Sequence, residues 1–463
     1  MSGYFSEARV DEIENKYPST VEGFSTFATK SRDEIESIQT SRLLKVVERA
    51  WQVPFYERRW RAVGLEPGAV QSLEDLQHIP SFSKSDLMAS VAEYPPFGDF
   101  HGMDDLAGEA RRQVVFHSTS GTTGDPQPLF FGAHDREVQN ALLARVYRMH
   151  GLRDNDVVHS VYGFGLVNGG HYVREAVTHF TRALMVTAGT GVDTPSERQV
   201  RLMARFGTTV LVGFADYLFR LGEVARELGL QPGKDLSVRL ISGHIPHDRR
   251  DALSALWGGA RVCDWYGVGD TGVICAEREP AGGLWVFEDA QVLEIVDAET
   301  GAAVAHGEPG NQCVTCLFKD TVYPIIRFNT QDVSAFNTEP APNDWNVRRT
   351  QGFLGRSDNM VKLRGINVYP TSVGAHLSVF AECNGEYICR LKTEDGKDEL
   401  AIDVEWGSAM GETSQQAVSE HLREALGIRV KVNLVKPGDT AATTGIAVRQ
   451  KPIRLIDERT GQP

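Results

Sequence analysis

The 463-residue chain is poor in cysteine: six residues, Cys263, Cys275, Cys313, Cys316, Cys383 and Cys389, with no paired spacing. A disulfide framework is thereby excluded as the folding device, and reduced thiols are expected. Long apolar runs are also missing. Val157 to Val167 and Ala183 to Val192 are broken by Gly, His, Ser or Thr and fall short of a bilayer's thickness, so no membrane span is expected. The opening MSGYFSEARVDEIENKYP has neither the basic region nor the apolar core of a secretory signal, which makes the cytoplasm the expected compartment. Positive charge is scarce, 48 Lys and Arg against 62 Asp and Glu for a net charge of -14, so a broadly basic nucleic-acid-binding face is excluded and an acidic ligand must be met by a local pocket. Repeats and low-complexity tails are absent. What is there is 41% hydrophobic, over a length sufficient for two or three domains. About three quarters of the unfolded surface can be buried at this size, so folding needs no metal.

The first hundred residues read as helices and loops. Ile35, Ile38, Leu43, Leu44 and Val47 recur on one helical face between Ser31 and Ala50, before Pro54 interrupts. Short helices are expected around Leu73 to Leu76 and from Ser85 to Val91, the second capped by its serine. From Arg112 the pattern becomes strand, loop and helix: RQVVFHSTSGTTG, VVHSVYGFG, the helical EAVTHFTRA, LMVTAG, TTVLVGF, a helix from Ala215 to Leu228, VRLISG, a helix from His247 to Leu256, and ARVCDWYG. Such alternation predicts an α/β fold with a mostly parallel, multilayer sheet. Residues 283–335 alternate more tightly and predict a β-rich subdomain. After the glycine- and charge-rich connector GFLGRSDNMVKLRGINVYP, strands and a helix from Ser414 to Leu426 predict a smaller α+β unit. The expected division is a large N-terminal region, 1–354, and a C-terminal domain, 355–463.

The sharpest local signal is HSTSGTTG, His117 to Gly124, directly after the strand-like VVF. Gly121 and Gly124 let backbone N–H groups approach an anion, and the hydroxyls of Ser118, Thr119, Ser120, Thr122 and Thr123 can meet phosphate oxygens without bulk. The order Gly-Lys-Ser/Thr is missing, so this is not a Walker A loop.

TSGTTG, VYGFGLVNGGHY, DWYGVGD, PIIRFNTQD and GRSDNMVKLRGINVYP, followed by QKPIRLID, occur in an order that resembles the phenylacetate-CoA ligase family of adenylate-forming acyl-CoA synthetases. The resemblance implies a large ATP- and acid-binding region with a mobile C-terminal domain. It also implies two steps: attack of an aromatic or arylacetic carboxylate on ATP to give acyl-AMP, then transfer to coenzyme A. A carrier-protein thiol or an amine is the alternative acceptor, and a noncatalytic nucleotide-binding regulator is the alternative of another class. By resemblance, Ser242, Gly243, His244, Asp264, Trp265 and Tyr266 border adenosine, Asp332 and Arg356 contact ribose, and Arg327 is a support. Asp270 matches the acidic Mg2+ ligand, usually Glu; the shorter Asp binds the metal directly or through water. The resemblance further implies that Tyr162, Phe164, Leu166, Gly169, Phe214 and Tyr217 line the acid pocket, that Asp358 is the hinge, and that Lys451 is the lysine that stabilises charge during adenylation.

Departures from the family pattern are Asp125 where Lys often follows the loop, His244 at a usually acidic position, Gln331 where Gly is common, and Gln450 before Lys451. Asp125 puts a carboxylate near ATP, where like charge opposes binding. Cys313 and Cys316 with Cys275 lack a complete zinc ligand set, so buried thiols are expected in place of structural zinc. The resemblance further implies a homodimer.

Overall fold

The computed structural model describes residues 3–103, 113–119, 126–279, 282–320, 322–357, 361–363, 366–394, 397–407, 411–446 and 452–460. The expected first long helix spans Arg32–Ala50. Ser31 caps it by accepting from the Glu34 N–H while the Glu34 carboxylate accepts from the Ser31 N–H, a reciprocal capping box. The helix expected from Ser85 starts one residue earlier, at Lys84–Glu93, and its cap is Ser83, whose N–H donates to Asp86 at 2.8 Å.

The strands follow in chain order. β1 (Val114–Ser118) and β2 (Pro128–Gly132) form a hairpin around the glycine-rich loop. β3 (Val157–Ser160), β4 (Leu184–Thr187), β5 (Val210–Phe214), β6 (Leu240–His244) and β7 (Arg261–Val268) come next, then β8 (Gly272–Glu277) and β9 (Leu284–Val286). β10 (Gln291–Val296), β11 (Gly310–Cys316), β12 (Phe328–Ser334), β13 (Arg349–Thr350) and β14 (Gly355–Arg356) complete the large region. One eight-stranded sheet has the order β13-β9-β8-β7-β6-β5-β3-β4; the β4-β3-β5-β6-β7 side is parallel and the rest antiparallel. Short hydrophobic strands such as VLVGF and LISGH, buried at all but the last residue, are what a sheet covered on both faces requires.

The β-rich stretch divides between two sheets. β9 joins the large sheet, whereas β10, β11, β12 and β14 form a separate four-stranded one. Gly355–Arg356 pairs with Asp332–Val333, so these two residues close that sheet before the chain leaves for the C-terminal unit. The helix Ala133–His150 runs through the middle of the large region and is buried along almost its whole length, polar residues included. Its Arg145 forms a two-pronged pair with Asp289, at 3.0 and 2.8 Å, and both side chains are buried. Charges so enclosed persist only when paired.

The C-terminal unit has β15 (Val361–Leu363), β16 (Ile366–Val368), β17 (Cys383–Glu394), β18 (Lys397–Trp406), β19 (Lys431–Val435) and β20 (Leu455–Asp457). The last four make a sheet of order β19-β18-β17-β20, covered by helices Val373–Leu377 and Glu412–Leu426. Its apolar cluster, from Val361 to Leu455, shares no residue with the clusters of the large region. A separate core is what lets a unit move as a body. Among the described residues, no helix is long and apolar enough to cross a membrane.

Candidate active site

In an open α/β sheet the free space lies beyond the C-terminal ends of parallel strands, because crossover connections leave it there. Here those ends carry Ser160, Phe214, His244 and the Asp264-Trp265-Tyr266 run. β5 and β6 run in register, Gly213 beside Gly243 and Phe214 beside His244. A Cβ on Gly243 would lie 1.8 Å from the Gly213 carbonyl oxygen, so only glycine permits this approach.

The result is an aromatic wall. Tyr162 meets Phe214 edge-on at 5.1 Å; the His244 imidazole stacks on Phe214 at 4.9 Å and lies 4.3 Å from the Trp265 ring. His244 Nδ1 donates to the Trp265 carbonyl at 3.0 Å, which fixes the ring. Gly169 abuts the Tyr162 ring, so Tyr162, Gly169 and Phe214 are brought together. Three other acid-pocket candidates stand elsewhere. Phe164 packs edge-on against His171, Leu166 is exposed with its carbonyl accepting from the Ser118 N–H, and the Tyr217 hydroxyl meets Ser196 and Gln199.

Around the adenosine candidates, Asp332 is held by two groups. Tyr266 OH donates to one carboxylate oxygen at 2.8 Å and Arg356 to the other at 2.7 Å. The preceding Gln331 has φ 61°, the left-handed region in which glycine is free and glutamine is strained. Asn329 Oδ1 accepts from the Gln331 N–H, and the Gln331 carbonyl accepts from Ser357, which ties this turn to the end of the sheet.

Asp264 and Ser242 face inward. Asp264 accepts the Ile245 N–H at 3.0 Å, and burial pushes its carboxyl up to about 8. Ser242 Oγ lies 2.8 Å from His150 Nδ1, and burial lowers that imidazole to about 3. Arg327 binds Glu294 at 3.0 Å and the Ile79 carbonyl at 2.6 Å, stapling the N-terminal helices to the β-rich sheet.

Ser118 and Thr119 stand at the mouth of the glycine-rich loop. Ser120, Gly121, Thr122, Thr123, Gly124 and Asp125 lie outside the described residues, as do Asp358, Gln450 and Lys451. His117, at the same mouth, is buried against His171 with its ring centroid 5.0 Å away, and desolvation lowers it to about 4.

Sequence motifs passed over three residues around Asp270. Its Oδ1 accepts from Gln127 Nε2 at 2.6 Å and from Tyr323 OH at 2.5 Å. Lys319, fully buried, places its ammonium 4.6 Å from the Tyr323 ring centroid. Burial raises the Asp270 pKa, opposed by these two hydrogen bonds and by the Lys319 charge. A single carboxylate with phosphate oxygens and water is a donor set Mg2+ commonly takes, so Asp270 fits that role. Position alone offered a clue: Gln127 stands just past the loop and Tyr323 just before PIIRFNTQD.

Cys275, Cys313 and Cys316 are buried thiols, with Cys316 pushed up to about 12 by desolvation. Among the described residues no three His, Cys, Asp or Glu side chains converge as a metal site.

Residues 365–459 match the AMP-binding enzyme C-terminal domain family. Along its length the chain is similar to the phenylacetate-coenzyme A ligase of Thermus thermophilus, 29% identical over 93% of this chain and 98% of that protein. Among solved structures it resembles 2-hydroxyisobutyryl-CoA ligase in the postadenylation state with 2-HIB-AMP, at 28% identity over 93% of this chain and 91% of that one, with TM-score 0.80. Against that enzyme with 2-HIB-AMP and CoA in the thioesterification state, the TM-score is 0.66 at the same coverage.

Proposed function

We propose, for a chain that belongs to the phenylacetate-coenzyme A ligase family of adenylate-forming enzymes, that the acid it activates is a small aromatic or arylacetic one. The reaction is ATP-dependent formation of an acyl-adenylate followed by transfer of the acyl group to CoA. In the first step a carboxylate oxygen attacks the α-phosphorus of ATP, a P–O bond forms, and pyrophosphate leaves. In the second the CoA thiolate attacks the acyl carbon, a C–S bond forms, and AMP leaves.

The observation that carries the acid's class is the wall of Tyr162, Phe214, His244 and Trp265 at the strand ends. Flat π faces and edges favour a ring packed among them. Ser118 and Thr119, with the glycine-rich loop that follows, hold the phosphates. Asp332, steadied by Tyr266 and Arg356, takes the ribose hydroxyls. Asp270 would hold Mg2+, whose chemistry when bound is to neutralise triphosphate charge. Lys451 meets the carboxylate and α-phosphate as charge develops. Asp358 is the pivot about which the C-terminal domain turns between the steps.

The test is pyrophosphate release from ATP and Mg2+ with a panel of benzoic, arylacetic and short aliphatic acids, with and without CoA, followed by mass analysis of products. Aryl-CoA and AMP are expected, with kcat/KM highest for an aromatic acid. Preference for aliphatic acids overturns the proposed class; acyl-AMP that never reaches CoA points to another thiol or an amine as acceptor.

A further inference from the structure

The shorter acid at the Mg2+ position raises a physical question: what orients a carboxylate that reaches one methylene less far than glutamate. Gln127, Asp270 and Tyr323 are 1%, 5% and 0% exposed and form a closed triangle. Gln127 Nε2 donates to Asp270 Oδ1 at 2.6 Å and to Tyr323 OH at 3.2 Å, and Tyr323 OH donates to the same Oδ1 at 2.5 Å. The amide nitrogen and the phenolic O–H thus both donate to Asp270, and two donors converge on one carboxylate oxygen. Donors so arranged suit an ionised acceptor.

Each corner is anchored. Tyr323 packs against Phe100 and Phe130, with ring centroids at 5.5 and 6.2 Å, and beneath the Lys319 ammonium. Among the described residues, Lys319 Nζ makes no hydrogen bond, so its positive charge acts on the triangle through space. Gln127 is bound to Thr119 in both directions: the Thr119 N–H donates to the Gln127 carbonyl, and the Gln127 N–H donates to Thr119 Oγ1, each at 3.0 Å.

We propose that Gln127 and Tyr323 are positioning residues which together orient Asp270 for a divalent cation, with Gln127 itself anchored on Thr119. This inference rests on the ligase reading above. The clamp offsets the short reach of aspartate by fixing the plane of its carboxylate. Outer partners of metal-binding carboxylates commonly change metal affinity by tenfold or more when removed.

The experiment measures Mn2+ binding to the full-length protein with ATP by electron paramagnetic resonance, and ATP binding in EDTA by calorimetry. Tyr323→Phe keeps the ring and removes one donor; Gln127→Met keeps the length and removes the other. Each variant is expected to lose roughly tenfold in Mn2+ affinity while metal-free ATP affinity changes less than twofold. Equal Mn2+ affinity in wild type and in whichever variant is folded overturns the proposal, as does Mn2+ that fails to bind wild type when ATP does. Equal loss of Mn2+ and metal-free ATP affinity also overturns it, since that reports general damage to the pocket. The ligase reading fails separately, through absence of acid-dependent pyrophosphate release from a wild type that binds Mn2+ and ATP.

Discussion

At the scale of single residues, the proposed aromatic-acid site rests most directly on His244. Its imidazole stacks on Phe214 and lies against Trp265, so it occupies volume within the aromatic wall. His244→Ala is expected to shift the kcat/KM ratio of a ring-substituted to an unsubstituted aryl acid by roughly tenfold toward the larger one, the scale set by a few methylenes of pocket space. An unchanged ratio, from steady-state pyrophosphate release, would place the acid elsewhere. Sequence motifs put His244 beside adenine because it follows Ser242 and Gly243; its contact with Phe214 depends on parallel pairing of strands thirty residues apart in the chain. Gln331 was legible in the opposite sense. A position where glycine is common turns out to have φ 61°, and the backbone reason for that preference is visible in this chain even though the residue departs from it.

At the scale of elements, the close approach of β5 and β6 builds the floor under the wall. Gly243→Ala would drive a methyl into the Gly213 carbonyl, and neither backbone can yield without breaking the parallel ladder on both sides. A loss of about 3 kcal/mol or more in unfolding free energy is expected, together with weaker nucleotide binding; denaturant titration checks the first and calorimetry the second. A variant as stable as wild type would show that the strands are less tightly paired. The alternation of short apolar strands and helices was readable along residues 157–268, since period and turn residues are local. The assignment of β9 to the large sheet and of β10 to another was not, because strand pairing is decided by which edges remain open after the parallel core has formed. Gly355 is a middle case. Its φ of 152° and the Tyr369 ring 3.2 Å from a Cβ built there explain a glycine at the exit from the last strand, but the tyrosine is supplied by the next unit.

At the scale of the whole molecule, the C-terminal unit has an apolar core separate from those of the large region, as the proposed turn between two steps requires. Lys451→Ala is expected to slow acyl-AMP formation by roughly a hundredfold, the scale of a lost electrostatic contact in a transition state, with a much smaller effect on thioester formation from supplied acyl-AMP. Equal losses in both half-reactions, measured in single turnovers, would remove Lys451 from the adenylation step. What the chain of residues determined alone was the class of fold and the order of reaction-linked motifs, because each is written in neighbouring residues whose spacing sets backbone geometry. Only tertiary structure decided that Gln127, Asp270, Tyr323 and Lys319 share one buried cluster, and that Arg327 is a staple between regions. Those contacts join residues as far as 248 positions apart, and hydrogen bonds of such range depend on how sheets stack and not on any local pattern.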